Sequence, residues 1–330
     1  MSFPTVFLVY KIIHTIDEWN DLSRFATLKV FNGNSREDFL KSCEDGELDE
    51  VMIIYYSNES VRLIGQLDQE LLFKLPPSVR YICHHGAGYD SIDIAACTGR
   101  SIQVSHTPTA VNKSTADMTL FLILGALRRI HVPCLALRAG QWRGSTQLGH
   151  DPENKLLGIL GMGGIGQEVA KRAKAFGMNV QYHNRSQLVP ELEQNADYVS
   201  FEHLIKTSDI LSLNCSLNKA TIGIIGKDEL AQMKQGVIIV NTARGKLIDE
   251  FALVKALESG KVFSAGLDVF EKEPSIDSML LSSPNVVLTP HIGTATVETQ
   301  RAMELLVLQN IENALKTEAL LTQVPEQIQA

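Results

Sequence analysis

Hydrophobic residues in the first third of the chain fall into short unbroken runs, at residues 5–10, 51–56 and 79–83. Helical or polar segments separate these runs. A continuous apolar run of strand length is typical of a parallel strand that is buried on both faces. The alternation of such runs with helical segments therefore predicts a doubly wound α/β sheet in this part of the chain.

A second alternating series begins near residue 157, with apolar runs at 157–160, 210–213, 237–240, 263–267 and 286–288. This series predicts a second doubly wound parallel sheet. A predicted helix at 115–129 carries the chain from the first sheet to the second, and another from 296 to about 315 returns it. The fold class is thus two α/β domains with a cleft between them. We expect an outer substrate domain at 1–110 and 294–330, and an inner dinucleotide-binding domain at 111–293.

A glycine-rich turn lies between an apolar strand and a helical segment in residues 155–185. Gly161 permits a tight turn, Gly163 lets the backbone approach a pyrophosphate, and Gly166 lets helix and strand pack closely. The N–H groups at the helix start, in Gly164 and Ile165, suit an anion. An ordinary glycine-rich turn is the alternative, but the flanking strand and helix favour dinucleotide binding.

The end of the second strand of this unit indicates which dinucleotide is bound. A sequence that binds NAD usually has an acidic residue here for the ribose 2′-hydroxyl, but this one reads His183-Asn184-Arg185-Ser186. Arg185 and Ser186 are suited to a 2′-phosphate through charge-assisted hydrogen bonds, with Asn184 beside them. NADPH is therefore favoured over NADH, and the alternative is that Arg185 is a solvated loop residue.

Arg244, Glu273 and His291 each occur where a predicted strand meets a loop, in segments 241–245, 266–274 and 289–293. Arginine matches a carboxylate with a planar fork of donors, and histidine transfers protons near neutral pH. A carboxylate beside that histidine orients it and keeps it charged. Taken singly, each residue has a structural alternative: Arg244 in an ion pair, Glu273 as a solvated turn residue and His291 as a structural histidine. Together they predict the reduction of a 2-oxo acid, with no need for a metal.

A third motif, Gly86-Ala87-Gly88, follows the predicted strand at 79–83. Its glycines permit φ > 0, so successive N–H groups can form an anion-binding nest. We expect Ala87 and Gly88 to bind the substrate carboxylate, and a plain turn is the alternative.

The order of these motifs resembles the D-isomer-specific 2-hydroxyacid dehydrogenase family, especially its glyoxylate/hydroxypyruvate reductase branch. The resemblance runs from residues 86–93 through 112–117 and the glycine turn to 289–293. It implies a Rossmann-type cofactor domain, a discontinuous flavodoxin-like substrate domain and a small 2-oxo or 2-hydroxy acid as substrate. It also implies that Arg244 anchors the substrate and that Glu273 and His291 form the acid/base pair. Further implied cofactor contacts are Thr115, Cys215, Thr242, Ala243 and Asp268, the last near the nicotinamide carboxamide.

Composition fits a globular protein with room for two domains: 330 residues, 45% hydrophobic and 21% charged. A net charge of −8 argues against a nucleic-acid partner. The five scattered cysteines indicate reduced packing residues, and the apolar stretch at 118–127 is too short to cross a membrane. Without a basic leader or a C-terminal peroxisomal signal, we expect a cytoplasmic protein, and we expect a homodimer.

One alternative comes from a different functional class. A dinucleotide-sensing, dimeric binding protein of the corepressor type shares this fold and the same three residues, with the cofactor setting the shape of the dimer. Robust turnover of 2-oxo acids distinguishes the enzyme from such a sensor.

Overall fold

The computed structural model describes residues 3–328. The prediction of a cytoplasmic protein rests partly on the two termini, and of these Met1, Ser2, Gln329 and Ala330 lie outside the described residues. The described chain divides into two compact units. The first comprises the residues up to Val111 together with those from Thr296 onward, and the second is Asn112–Ala295.

Strands and helices alternate along nearly the whole chain. The strands are β1 (Thr5–Leu8), β2 (Thr27–Val30), β3 (Val51–Ser57), β4 (Tyr81–His85), β5 (Gln103–Ser105), β6 (Leu156–Leu160), β7 (Asn179–His183), β8 (Asp197–Tyr198), β9 (Ile210–Leu213), β10 (Val237–Asn241), β11 (Val262–Leu267) and β12 (Val286–Leu288). The helices are α1 (Ile16–Asp21), α2 (Arg36–Glu44), α3 (Asn58–Ile64), α4 (Gln69–Lys74), α5 (Ile94–Gly99), α6 (Asn112–Arg128), α7 (His131–Arg138), α8 (Gly164–Ala175), α9 (Phe201–Thr207), α10 (Lys227–Gln232), α11 (Glu250–Glu258), α12 (Ser278–Ser282), α13 (Val297–Thr317) and α14 (Pro325–Ile328). Short 3₁₀ turns occur at Leu22–Arg24, Pro190–Leu192 and Gly245–Leu247.

The first unit contains a parallel five-stranded sheet in the order β2-β1-β3-β4-β5. This is the flavodoxin-like order of a doubly wound sheet. Its two faces are both covered, because Phe7 of β1 belongs to one hydrophobic cluster whereas its neighbours Val6 and Leu8 belong to another. The prediction of a sheet buried on both faces is confirmed for this unit.

The second unit contains a parallel seven-stranded sheet in the order β12-β11-β10-β9-β6-β7-β8. The order β8-β7-β6-β9-β10-β11 is the Rossmann arrangement, and β12 extends it by one strand. The predicted fold class is therefore confirmed. In such a sheet the loops at the carboxyl ends of the strands form the ligand-binding edge.

Three strands were not predicted from the hydrophobic pattern: β2, β5 and β8. All are short, and β2 and β8 have mainly exposed or partly exposed side chains. Each of them lies at an end of its sheet. At the edge of a sheet, β2 and β8 bury less of their surface, so they lack the continuous apolar run that identified the predicted strands. The strand β5 is mostly buried, but it is only three residues long and has a single apolar residue, Val104.

The helix α6 begins three residues before the predicted start and is largely buried in the second unit. Within residues 3–328, no single helix is long and apolar enough to cross a membrane. One bent pair, α6 with α7, passes that test by length and composition alone. The buried residues of α6 identify it as a core helix, as the sequence predicts.

Candidate active site

The glycine turn of the second unit adopts the conformation expected of a dinucleotide site. Gly161 has φ +100°, and a Cβ there would lie 2.5 Å from the Cys215 nitrogen. Gly166 is buried, and a Cβ there would overlap the carbonyl oxygen of Gly161. At Gly163, the N-cap of α8, an added Cβ meets nothing within 4 Å, so this backbone is open to a ligand. The turn therefore fits a dinucleotide pyrophosphate at the helix N-terminus, with Cys215 beside it.

The end of β7 is joined to this turn through Asn184. Its side-chain oxygen accepts a hydrogen bond from the Met162 N–H at 2.7 Å. Arg185 and Ser186 follow with exposed side chains. The Asn184 oxygen thus holds the turn in place, a role that the sequence did not indicate, while the two exposed residues stay accessible to a ligand.

Asn241, at the end of β10, shapes the turn that presents Arg244. The buried amide of Asn241 accepts from the Ala243 N–H at 3.0 Å and donates to the Arg244 carbonyl at 2.8 Å. The hydroxyl of the buried Thr242 lies 2.8 Å from that of Thr119 in α6. Arg244 itself is half-buried, and its guanidinium donates to the Ala243 carbonyl at 2.8 Å.

Glu273 and His291 form a close pair. The His291 ring nitrogen Nδ1 lies 2.7 Å from Glu273 Oε2, and the Phe270 N–H donates to Oε1 at 3.0 Å. Burial alone would raise the pKa of Glu273, but its hydrogen bond to His291, the His291 charge, the Phe270 N–H and the charge of Arg244 hold this pKa below its usual value. Glu273 therefore remains a carboxylate at neutral pH, and it can orient a protonated imidazole.

Asp268 organises the loop that carries His291. It is 1% exposed, and Oδ1 accepts from the Thr289 hydroxyl at 2.7 Å and the Ile292 N–H at 2.9 Å. Oδ2 accepts from the Gly293 N–H at 2.8 Å, and the Asp268 carbonyl accepts from the His291 N–H at 2.7 Å. These bonds hold His291 at φ +56°, a left-handed conformation that is uncommon for a residue with a side chain.

The first half of α6 also contacts this loop. Ser114 donates from its hydroxyl to the Gly293 carbonyl at 2.6 Å. The methyl carbon of Thr115 would lie 3.4 Å from a Cβ built at Gly293. Thr115, Asp268 and His291 are therefore gathered at the carboxyl edge of the seven-stranded sheet.

The motif Gly86-Ala87-Gly88 lies in the first unit, directly after β4. The expectation of φ > 0 at Gly86 is wrong, since its φ lies outside the left-handed region. Gly86 is instead required by packing, because a Cβ there would overlap the His84 ring. That ring lies 3.2 Å from the Tyr56 carbonyl and 3.1 Å from the Gly88 carbonyl. From the spacing of the glycines alone, a glycine required by a side chain packed against its backbone cannot be distinguished from one required by a left-handed turn.

A second histidine supports the same loop. His106 Nδ1 lies 2.8 Å from the Ala87 carbonyl, and its ring meets that of Tyr89 edge-on at 5.1 Å. The Ala87 and Gly88 carbonyls thus each lie within hydrogen-bond distance of an imidazole nitrogen. The sequence shows that His84 adjoins this loop, but no spacing rule predicts its contact with the Gly88 carbonyl or that of His106 with the Ala87 carbonyl.

The second unit carries the signature of a known family. Residues 120–293 match the model of the D-isomer specific 2-hydroxyacid dehydrogenase NAD-binding domain. The chain belongs to this family. It is accordingly an oxidoreductase that uses a nicotinamide dinucleotide, as the sequence predicts.

Relatives align with nearly the whole chain. It is 57% identical over 324 residues to 4-methyl-2-oxopentanoate reductase A of Aspergillus oryzae, covering 98% of each chain. A glyoxylate reductase structure from Paecilomyes thermophila is also 57% identical, with a TM-score of 0.97 over 99% of this chain and 100% of that one. An NADPH-dependent glyoxylate/hydroxypyruvate reductase from Sinorhizobium meliloti, solved with NADP and malonate, is 29% identical, with a TM-score of 0.86 over 98% of each chain.

Proposed function

We propose that this family member reduces the small 2-oxo acids glyoxylate and hydroxypyruvate, with NADPH preferred over NADH. The observation that carries the proposal is the bonded pair His291–Glu273, with the charge of Arg244 acting on the same carboxylate. The reduction of a 2-oxo acid requires a proton donor, a negative charge that keeps this donor protonated, and a cation that binds the substrate carboxylate. The similar glyoxylate reductase, which aligns along its full length, supports a small substrate.

The proposed roles follow from the bonds of each residue. Because His291 Nδ1 is bonded to Glu273, the opposite nitrogen Nε2 is the proton donor to the substrate carbonyl oxygen. Hydride is the chemistry that a bound nicotinamide dinucleotide supplies. Arg244 binds the substrate carboxylate and stabilises the negative charge that develops on the oxygen. In the reverse direction, neutral His291 accepts the proton of the hydroxy acid.

Binding residues are proposed for each unit separately. The N–H groups of Gly163, Gly164 and Ile165 would hold the pyrophosphate, and the exposed Arg185 and Ser186 would hold a 2′-phosphate. The remaining proposed cofactor contacts are Thr115, Gly161, Gly166, Asn184, Cys215, Thr242, Ala243 and Asp268. In the first unit, the N–H groups of Ala87 and Gly88 are the proposed contacts of the substrate carboxylate.

The direct test is a steady-state panel with the purified protein. Glyoxylate, hydroxypyruvate, pyruvate and 4-methyl-2-oxopentanoate are each assayed with NADPH and with NADH. We expect the highest kcat/KM for glyoxylate and hydroxypyruvate with NADPH. The highest value for 4-methyl-2-oxopentanoate would contradict the substrate size, and equal use of both cofactors would contradict the preference for NADPH.

We also propose that the protein forms a homodimer, for which the surface around α7 is the best candidate. Every side chain of α7 is at least partly exposed, including Leu135 and Leu137, and Trp142 and Leu148 just beyond it are 79% and 95% exposed. Large apolar side chains exposed along one segment of the chain favour contact with a second copy of the chain. Light scattering of the wild type and of Leu135→Glu tests this, with a monomeric wild type contradicting it.

A further inference from the structure

Beyond the three proposed active-site residues, Glu250 makes a hydrogen bond that links their loops. It is the first residue of α11, the helix that follows the Arg244 turn. Its Oε1 atom accepts from the Glu271 N–H at 2.6 Å. Glu271 lies in the loop that leads to Glu273, so the bond connects the segment after β10 with the segment after β11.

The peptide group between Phe270 and Glu271 is held from two sides. Its N–H donates to Glu250, whereas a Cβ added at Gly245 would overlap its carbonyl group. Gly245 directly follows Arg244, so the arginine turn is packed against the same peptide. The preceding N–H, that of Phe270, donates to Glu273. The positions of Arg244 and Glu273 therefore depend on one peptide group, which Glu250 orients.

We propose that Glu250 is a positioning residue for the reduction, fixing the Phe270–Glu271 peptide and thereby the spacing of Arg244 from the Glu273–His291 pair. This inference rests on the proposed function of those three residues. A displacement of about 1 Å at a reacting group can cost roughly a hundredfold in rate, so one hydrogen bond that fixes a loop has a measurable effect.

The surroundings of Glu250 favour a role of its hydrogen bond over a role of its charge. Burial, together with the nearby carboxylates of Glu271 and Asp277, raises the pKa of Glu250 above its usual value, against the effect of the Glu271 N–H. The negative charge is therefore less favourable here than in water. What the site uses is an oxygen acceptor at the correct distance from the Glu271 nitrogen.

Two substitutions at Glu250 distinguish the effect of its side-chain length from the effect of its charge. Glu250→Asp keeps the charge and suits a helix N-terminus, but it withdraws the carboxylate by one carbon–carbon bond. Glu250→Gln keeps the reach and an oxygen acceptor without the charge. The matched control is Glu258→Asp, which shortens the glutamate at the other end of α11, where Glu258 pairs with Lys255 at 2.9 Å.

The experiment measures glyoxylate reduction with NADPH for the full-length protein and these variants. We expect Glu250→Asp to lower kcat about tenfold or more, with the KM for NADPH within about twofold. Glu250→Gln should stay within about threefold of the wild-type kcat, and Glu258→Asp should match the wild type. A wild-type kcat in Glu250→Asp, or an equal loss in Glu250→Gln, would overturn the proposal.

A second readout does not depend on turnover. In protein labelled with ¹⁵N-histidine, the His291 signal is assigned by its loss in His291→Asn. We expect it to move in Glu250→Asp and not in Glu258→Asp; an unmoved signal would overturn the proposal even if the wild type lacked activity. Absence of wild-type turnover with a moved signal would instead refute the proposed function and leave the positioning role supported.

Discussion

His291 and Glu273 are eighteen positions apart in the chain, yet His291 Nδ1 lies 2.7 Å from Glu273 Oε2. The two residues follow β12 and β11, which are adjacent parallel strands. Carboxyl ends of neighbouring parallel strands lie at one edge of the sheet, so the topology brings the pair together. The pairing follows from the strand order, and the proton chemistry that we propose follows from the pairing.

The first prediction concerns this pair. His291→Ala should abolish most reduction with little change in NADPH binding. Glu273→Gln should shift the alkaline limb of the pH profile for reduction to lower pH. The Glu273 pKa lies below its usual value, so the wild type has a carboxylate that stabilises protonated His291 at neutral pH. Neutral glutamine removes that stabilisation, and the acid form is lost sooner as pH rises. An alkaline limb unchanged by Glu273→Gln would assign this role to another group.

Much of this site could be predicted from the sequence. The apolar runs predicted the central strands, and Arg244 and His291 were placed correctly in loops after β10 and β12. The role of Asp268 could not be predicted in the same way, because its carboxylate bonds Thr289, Ile292 and Gly293 across a register that only the folded sheet defines. Composition and spacing carry no information on such contacts.

The second prediction tests Asp268 as the support of the His291 loop. Asp268→Asn replaces one of the two buried carboxylate oxygens with an NH₂ group. The Ile292 and Gly293 N–H groups donate to different oxygens, so one of the two loses its acceptor. An unsatisfied buried donor costs about 1–3 kcal/mol, so the midpoint of urea unfolding and kcat should both fall. The control is Asp249→Asn at the N-cap of α11, where asparagine caps as well as aspartate. Equal stability of the two variants would contradict the role.

The third prediction concerns the anchor. Arg244→Lys should lose nearly as much kcat/KM as Arg244→Ala, since an ammonium cannot reproduce the bidentate fork of donors. Charge-assisted hydrogen bonds contribute about 1.5–3 kcal/mol, which corresponds to roughly ten- to a hundredfold. Steady-state kinetics with glyoxylate measure the loss. Near-normal kinetics in the lysine variant would assign Arg244 to the support of its own turn.

The fourth prediction concerns the choice of cofactor. Arg185→Ala should weaken NADPH binding by roughly tenfold or more and leave NADH binding nearly unchanged, because only NADPH carries a 2′-phosphate. Titration of each cofactor by fluorescence gives the two dissociation constants. Lys174→Ala is a control that removes a cation bonded to the Gln194 and Asn195 carbonyls. Equal losses for both cofactors in Arg185→Ala would point to a structural role.

The fifth prediction concerns stability in mild acid. Burial lowers the pKa of His85, His106 and His131 below the usual value of 6.5. For His85, burial outweighs the charges of Glu59 and Glu304, which favour the protonated ring and raise its pKa. The unfolded chain therefore binds protons at these positions before the folded chain does. Their contribution to stability is fully present above about pH 6.5 and is lost as pH falls below it toward the folded-state pKa values.

His85 is the best residue with which to test this, since it is 7% exposed and its Nε2 atom is buried without a hydrogen-bond partner. Each such histidine adds at most about 1.4 kcal/mol per pH unit to the slope of unfolding free energy against pH. Urea unfolding between about pH 5 and 7 should show a smaller slope for His85→Gln than for the wild type. The control is His203→Gln, at an exposed position on α9. A slope that falls equally in both variants would show that burial of His85 is not its source.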